Sequence, residues 1–157
     1  MEIRAYQESD ISQLISLFYE TVPSVNKLHY SQEQLDAWAP NEERAHKLNT
    51  WSTSLGQNIT YVAEINGFIV GFSDMTVEGH LDRLFVHKDF QGQGVASALV
   101  NKLEMKARGL GLHEMDTEAS ITARPFFERQ GYQLMMKQSV ERRGVLLVNY
   151  RMSKKLI

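Results

Sequence analysis

The sequence predicts a single α/β domain built on a mixed central β-sheet flanked by helices. Three observations lead there. The apolar residues switch between alternation and helical spacing in the order strand, helices, three strands, helix, strand, helix, two strands. The 157 residues suffice for one domain, residues 1–157, that buries a core without metal or disulfide staples. An apolar run, Leu84-Phe85-Val86, breaks into a loop with two glycines, and a helical pattern starts at once from Val95.

The elements follow in order. Ile3 to Tyr6 alternates as a short strand. Asp10 suits a helix N-cap, with Ile11, Leu14, Ile15 and Phe18 at helical spacing and Pro23 beyond the helix. Ser31 and Gln34 have the form of a capping box ahead of Leu35 and Trp38, and Pro40 stops that helix. Glu42 to Leu55 reads as a helix ended by Gly56. Ile59 to Ile65 and Phe68 to Val77 are strands joined at Asn66-Gly67, the pair that tolerates the two positive φ angles of a type I′ turn. Gly79 breaks the run before a strand from Leu81 to Val86. The next helix carries Val95, Leu99 and Leu103 on its stripe and ends at Gly109 or Gly111. Leu112 to Glu118 is a strand, Thr122 to Arg129 a helix with Gly131 at C′, and Tyr132 to Val140 and Val145 to Met152 are strands about Arg143-Gly144.

Composition narrows the function. There are no cysteines, so disulfides, thiolate metal sites and thiol nucleophiles are out. A net charge of −2 offers no basic field for nucleic acid. The start, MEIRAYQESD, lacks the basic and apolar regions of a signal peptide, and no stretch approaches the roughly 18 apolar residues of a membrane span. The expectation is a soluble cytoplasmic protein with neither nucleic acid nor membrane as partner. No histidine pair has a metal spacing such as H-E-x-x-H, which leaves His80, His87 and His113 as surface or structural groups and predicts no metal. Ser97 has no G-x-S-x-G elbow around it.

The loop Gln91-Gly92-Gln93-Gly94-Val95-Ala96-Ser97 is where chemistry enters. Glycines let the backbone turn tightly and approach a ligand. The N–H groups and dipole of the helix start favour an anion such as a phosphate. A P-loop would need a lysine after its last glycine, and none follows Gly94. A dinucleotide fingerprint would need glycine at Ser97 and would normally follow the first strand, although Glu114 lies at a ribose-contact distance along the chain. For an isolated G-x-G, a plain helix start would be explanation enough.

This loop is not isolated. Gln91-Gly92-Gln93-Gly94-Val95-Ala96 resembles the pyrophosphate loop [QR]-x-x-G-x-[GA] of the GNAT superfamily of acyl-CoA-dependent N-acyltransferases. Downstream, Ser120-Ile-Thr-Ala123-Arg-Pro-Phe126-Phe127-Glu128-Arg-Gln-Gly131-Tyr132 resembles that family's second motif, N-x-x-A-x-x-F-Y-E-x-x-G-F. The resemblance spans essentially the whole chain, and His29-Tyr30-Ser31-x-Glu33-Gln34-Leu35-x-Ala37-Trp38 is similar to one subgroup of small bacterial members. It implies a GNAT fold, acetyl-CoA as co-substrate and an amine acceptor, a small molecule or a peptide. It further implies that backbone groups of Leu84, Phe85 and Val86 bond the pantetheine, entering where that strand splays from the next. Gly92 to Ser97, with Gln91, would hold the pyrophosphate.

Direct transfer of acetyl to an amine needs juxtaposed reactants, a deprotonated amine and a polarised carbonyl. In the family the tyrosine of F-Y-E protonates the departing thiolate; here Phe127 stands in its place, and Ser120 replaces the usual asparagine. A thiolate of pKa roughly 8.5 can also leave unassisted. Tyr132 and Tyr150 are spare phenols that nothing in the sequence aims. Asp82 is the candidate base, grouped by strand alternation with Leu84 and Val86, against simple pairing with Arg83. Glu118 is the second candidate, against a solvated loop carboxylate. His29, Tyr30 and Trp38 fall where the family roofs its acceptor site, suited to an aryl or alkyl amine; Trp38 and Trp51 could equally be core anchors. Arg142, Arg143, Asn149 and Arg151 could line the other wall or form the edge of a homodimer. Phe127 also leaves open a catalytically degenerate domain that binds acyl-CoA as a sensor or interaction module.

Overall fold

The computed structural model describes residues 1–157. Strand β1 (Glu2–Ala5) leads through a 3-10 turn into helices α1 (Ile11–Val25), α2 (Gln32–Trp38) and α3 (Arg44–Gln57). Strands β2 (Ile59–Ile65), β3 (Phe68–Met75) and β4 (His80–Val86) follow. Helix α4 (Val95–Gly109), β5 (Glu114–Ser120), α5 (Arg124–Arg129), β6 (Gln133–Arg142) and β7 (Val145–Lys155) complete the chain. All strands join one seven-stranded sheet of order β1-β2-β3-β4-β5-β7-β6. Every neighbouring pair is antiparallel except β4 and β5, so the sheet is mixed.

Helices cover both faces. Val62 of β2 and Phe72 of β3 pack against Leu14, Leu17 and Leu55 of α1 and α3. Ala63, next along β2, and Val70, the extra residue of a bulge between β2 and β3, point the other way, onto Val95 and Leu99 of α4. Strand β3, central and covered on both faces, is buried continuously from Val70 to Met75. Gly71 permits the close seat of α4: a Cβ there would lie 2.9 Å from Val95 Cγ1 and 3.1 Å from the Phe85 carbonyl oxygen. Strand β6 is an edge, and Leu134, Met135 and Met136 on it are exposed.

The local signals act as their chemistry requires. Asn66 and Gly67 hold φ of 52° and 81°, and Arg143 and Gly144 hold 51° and 78°, both hairpin turns with two left-handed residues. Ser31 accepts from the Gln34 N–H while the Gln34 side chain accepts from the Ser31 N–H, so both halves of the capping box form.

Several element ends shift by one to three residues, as where β5 runs Glu114–Ser120 and β7 continues to Lys155, and three departures have a clear physical cause. Helix α1 runs through Pro23 to Val25, because Pro23 sits in the last turn and forfeits one ladder bond while buried Thr21 and Val22 keep that turn packed. Helix α3 runs through Gly56 to Gln57, and the Thr60 hydroxyl satisfies the Leu55 carbonyl at 2.7 Å. Asp10 precedes α1 but does not cap it. Its buried carboxylate accepts instead from the Gln7 N–H at 2.8 Å and is gripped by both terminal nitrogens of Arg4 at 2.9 Å. Burial alone would raise the Asp10 carboxyl; the Arg4 and Gln7 bonds outweigh it and hold it below the ordinary value.

Candidate active site

The parallel junction places the site. Strands β4 and β5 pair only at His80–Asp116 and Leu81–Thr117. Beyond Leu81 they part, although β4 stays paired with β3 as far as Val86. The junction is pinned by the Thr117 hydroxyl, which donates to the Leu81 carbonyl at 2.9 Å. A cleft of about 1020 Å³ opens at the parting. Its walls include Leu84, Phe85 and Val86 on one side and Glu118, Ala119 and Ser120 on the other.

A bulge marks the spot where the strands separate. Arg83 pairs with Asp74 and Leu81 with Met75, so Asp82 is an extra residue with no partner on β3. The simple alternation that groups Asp82 with Leu84 and Val86 is therefore broken. Leu81, Leu84 and Val86 all pack toward α4. Asp82 projects exposed into the cleft, 3.6 Å from the Arg83 guanidinium. Arg83 lines the same cleft, but its guanidinium is held from below. It is ion-paired with fully buried Asp74, donates to Ser54 Oγ at 2.8 Å and lies 4.7 Å from the Trp51 ring centre. Burial raises the Asp74 carboxyl, against the pull of Arg83 and of Asn58. This pair anchors β4 to β3 and α3 beside the cleft.

The glycine loop closes one end. Gly92 and Gly94 have φ of 72° and 81°, conformations that favour glycine, and a Cβ on either would meet no protein atom within 4 Å. Gly94 is the N-cap of α4, and the first N–H groups of a helix have no partner inside it. The amides of Val95, Ala96 and Ser97 thus face the same open space as the two glycines, all of them lining the cleft. The Gln91 side chain donates to the Val86 carbonyl at 2.6 Å and ties the loop to the end of β4. Ser97 Oγ accepts from Gln130 at 3.0 Å, linking α4 to the segment after α5. Gln93 is exposed and does not line the cleft. Such a cradle fits a pyrophosphate.

The second motif lines the cleft with Ser120, Ala123, Phe126 and Phe127, and it also packs the core below. Phe127 is 2% exposed and stacks edge-on with Phe126 and Tyr132 in the core beneath the cleft. Ser120 Oγ accepts from the Ala123 N–H at 3.0 Å and shapes the turn into α5. Neither spare phenol reaches the cleft. Tyr132 is buried with its hydroxyl on Glu104, which together with burial raises its pKa far above the ordinary range. Tyr150 lies under the Arg124 guanidinium.

The opposite end of the cleft is aromatic. Phe18 is the hub, with Trp51 at 4.9 Å and Phe85 at 5.1 Å between ring centres. Trp51 and Trp38 both line the cleft while packing on the core, so each serves as wall and anchor. Tyr30 lines it too, but its hydroxyl is committed: it donates to the Val148 carbonyl at 2.6 Å and accepts from the Ile121 N–H at 2.9 Å. It extends the β5–β7 ladder by one step beyond Ser120–Asn149, joining Val148 to Ile121. His29 stands outside the cleft, exposed and bonded to Thr122 at 2.9 Å. Glu118 lines the cleft and accepts from Gln138 at 2.9 Å. Arg142, Arg143 and Asn149 also line it, whereas Arg151 does not.

Sequence reasoning passed over Thr21 and Lys47, which line the cleft from α1 and α3. Thr21 Oγ1 and Asn149 Oδ1 are buried there without a hydrogen-bond partner. No local pattern marks a threonine on the buried face of a helix, so only the assembled cleft identifies it. No group of three or more metal-ligating side chains gathers in the fold, and no helix is long and apolar enough to cross a membrane.

A sheet parted beside a glycine-turned helix start defines an acyltransferase of the GNAT type. Residues 26–154 match the Acetyltransferase (GNAT) domain family, and the chain belongs to it. It is 39% identical over 152 residues to the uncharacterized N-acetyltransferase YafP of Escherichia coli K12, covering 97% of this chain and 94% of that one. The structure is similar to a GCN5-related N-acetyltransferase from Rhodopseudomonas palustris, with a TM-score of 0.92 and 29% identity over 98% of this chain and 94% of that one. The Salmonella typhimurium protein yncA, solved with its cofactor acetyl-CoA, shares the fold at a TM-score of 0.73 and 18% identity, covering 100% of this chain and 94% of that one. As a member of this family the chain is an acetyl-CoA-dependent acetyltransferase.

Proposed function

We propose that this chain moves the acetyl group of acetyl-CoA to a primary amine by direct attack in the cleft between β4 and β5. The observation that carries the reading is the joint placement of two features. The edge of β4 freed beyond Leu81 and the α4 start with Gly92 and Gly94 open on one cleft. The free edge offers amides and carbonyls to the pantetheine arm, and the loop offers N–H groups to the pyrophosphate. The bound thioester supplies an activated acyl carbon.

The chain's residues do the rest. Phe18, Trp38 and Trp51 exclude water from the acceptor end and hold an amine against β4. Asp82, exposed beside the parting, takes the ammonium proton directly or through a water; Glu118 across the gap is the second carboxylate in reach of the cleft. An N–H of the free β4 edge polarises the thioester oxygen. The amine nitrogen bonds to the carbonyl carbon, gives up a second proton to water in the open cleft, and the carbon–sulfur bond breaks, the sulfur leaving with its electron pair. Phe127 donates no proton and the Tyr30 hydroxyl is already bonded, so the thiolate departs unassisted and is protonated from solvent.

The test is a thermal-shift titration with acetyl-CoA, CoA and NAD, followed by release of free CoA with a panel of amines. A rise with the CoA compounds alone, and CoA release with at least one amine, is the expected result. No shift with CoA would withdraw the donor site. A shift without turnover would favour the acyl-CoA-binding module, the reading that Phe127 supports.

A further inference from the structure

Asn26 caps the C-terminal end of α1 and is 5% exposed. Its backbone is fully committed. The N–H donates to the Val22 carbonyl at 3.2 Å, and the carbonyl accepts from the His29 and Tyr30 N–H groups at 3.1 Å. Its side-chain amide makes no hydrogen bond in the protein, yet neither amide atom is sealed in the interior. Asn26 lines the cleft, so the space on which this amide opens is the cleft itself. Buried polar side chains are nearly always paired, and an amide carries both donors and an acceptor to satisfy.

The surroundings place it over the gap. Shortly before it on α1, Phe18 packs on Phe85, and Glu20 bonds His87 at 2.9 Å just past the end of β4. Shortly after it, His29 bonds Thr122 at 2.9 Å and the Tyr30 hydroxyl accepts from the Ile121 N–H, just past the end of β5. Asn26 lies between these attachments, so it roofs the opening where β4 and β5 have parted. Nearby polar groups add to the shortage of partners. Thr21 Oγ1 and Asn149 Oδ1, in the walls of the same cleft, are unpaired. Tyr30, Ser120 and Glu118 are engaged elsewhere and cannot serve them. None of the unpaired groups carries a charge, which suits a neutral polar chain better than an ion.

We propose that Asn26 is a side-chain contact for the pantetheine arm of the donor, bonding an amide or the hydroxyl of that arm from the α1 side. The proposal rests on the donor site described above and adds a roof to its strand-edge contacts. Between the pyrophosphate at the glycine loop and the thioester beside Asp82, the arm runs through the gap that Asn26 covers. It carries amides and a hydroxyl on an otherwise apolar chain, so it brings the neutral donors and acceptors that this amide lacks.

Calorimetry and thermal melting of the full chain test the contact, with CoA and with 3′-phospho-ADP, which is CoA without the arm. Asn26→Leu replaces the amide with an apolar group of similar size, and Asn26→Ala removes it and leaves space. Taking away a group that has no partner in the unliganded fold should leave the unliganded Tm unchanged or higher. CoA should bind about 10-fold more weakly to both variants, while 3′-phospho-ADP binds as it does to wild type. Wild-type CoA affinity in both variants would overturn the proposal. So would a loss in Asn26→Leu alone, which would be steric, or an equal loss for 3′-phospho-ADP, which would lie at the loop. A lower unliganded Tm with CoA affinity intact would make Asn26 a packing residue and also overturn it. If wild type binds no CoA, the donor site itself falls and this contact with it.

Discussion

Replacing Gly94 with leucine separates a ligand effect from a folding effect. Gly94 has φ of 81°, where a side chain costs about 1–2 kcal/mol. No protein atom lies within 4 Å of the added Cβ, so no clash adds to that strain. For a chain of this length, 1 kcal/mol moves Tm by about 2–4 °C, so the unliganded variant should melt about 2–8 °C below wild type. The open space is where the pyrophosphate is proposed to lie, and the side chain would fill it. At a CoA concentration of about 100 times the wild-type Kd, binding adds about 2.7 kcal/mol. A 100-fold weaker Kd would cut that to about 0.4 kcal/mol, so a ligand-induced rise of about 5–11 °C shrinks to about 1–2 °C. Gly71→Ala is the control. Its Cβ would press Val95 Cγ1 at 2.9 Å, an overpacking worth about 1–3 kcal/mol, yet it should keep the ligand increment. A wild-type increment in Gly94→Leu, measured by thermal shift, would refute the assignment of the loop.

Other predictions concern single groups. Asp82→Asn should lower kcat by about 10²–10⁴-fold while the Kd for CoA from calorimetry stays unchanged, and equal turnover would remove Asp82 from the proton transfer. Tyr30→Phe leaves the Ile121 N–H and the Val148 carbonyl without their partner and should cost about 1–3 kcal/mol in urea unfolding; no loss would mean water replaces the hydroxyl. Asp10→Asn should destabilise by about 1–3 kcal/mol at neutral pH. The Asp10 carboxyl is held below its ordinary value in the fold, so its contribution is present above the unfolded pKa of about 3.9 and is lost as pH falls through the lower folded value. The two proteins should therefore converge in stability at low pH, and a constant gap down to pH 2 would contradict the Arg4–Asp10 account.

What could be read in advance was local. Asn66-Gly67, Ser31 with Gln34, and the glycines of the loop each impose a conformation on their own neighbours, so one sequence carries the whole signal. What escaped needed partners far along the chain. Helix α1 continues through Pro23 because of packing that residue 23 does not control. The bulge at Asp82 is a matter of register against β3, invisible in the alternation of β4 alone. Tyr30 reads only as part of an acceptor roof until Val148 and Ile121 are brought to its hydroxyl. Asn26 and Asn149 come from a helix end and a strand, and no spacing in the sequence announces that they share a cleft.

The short pairing of β4 with β5 leaves a sheet with four edges instead of two: the outer sides of β1 and β6, and a second pair facing each other inside the molecule. An outer edge invites another chain to add a strand. The inner edges admit something narrower. Their N–H and C=O groups beyond Leu81 lack a strand partner across the gap, so a guest that carries its own amide groups can bond to them. In the proposed reading the pantetheine arm takes that place, and a ligand stands where a neighbouring strand would otherwise complete the sheet.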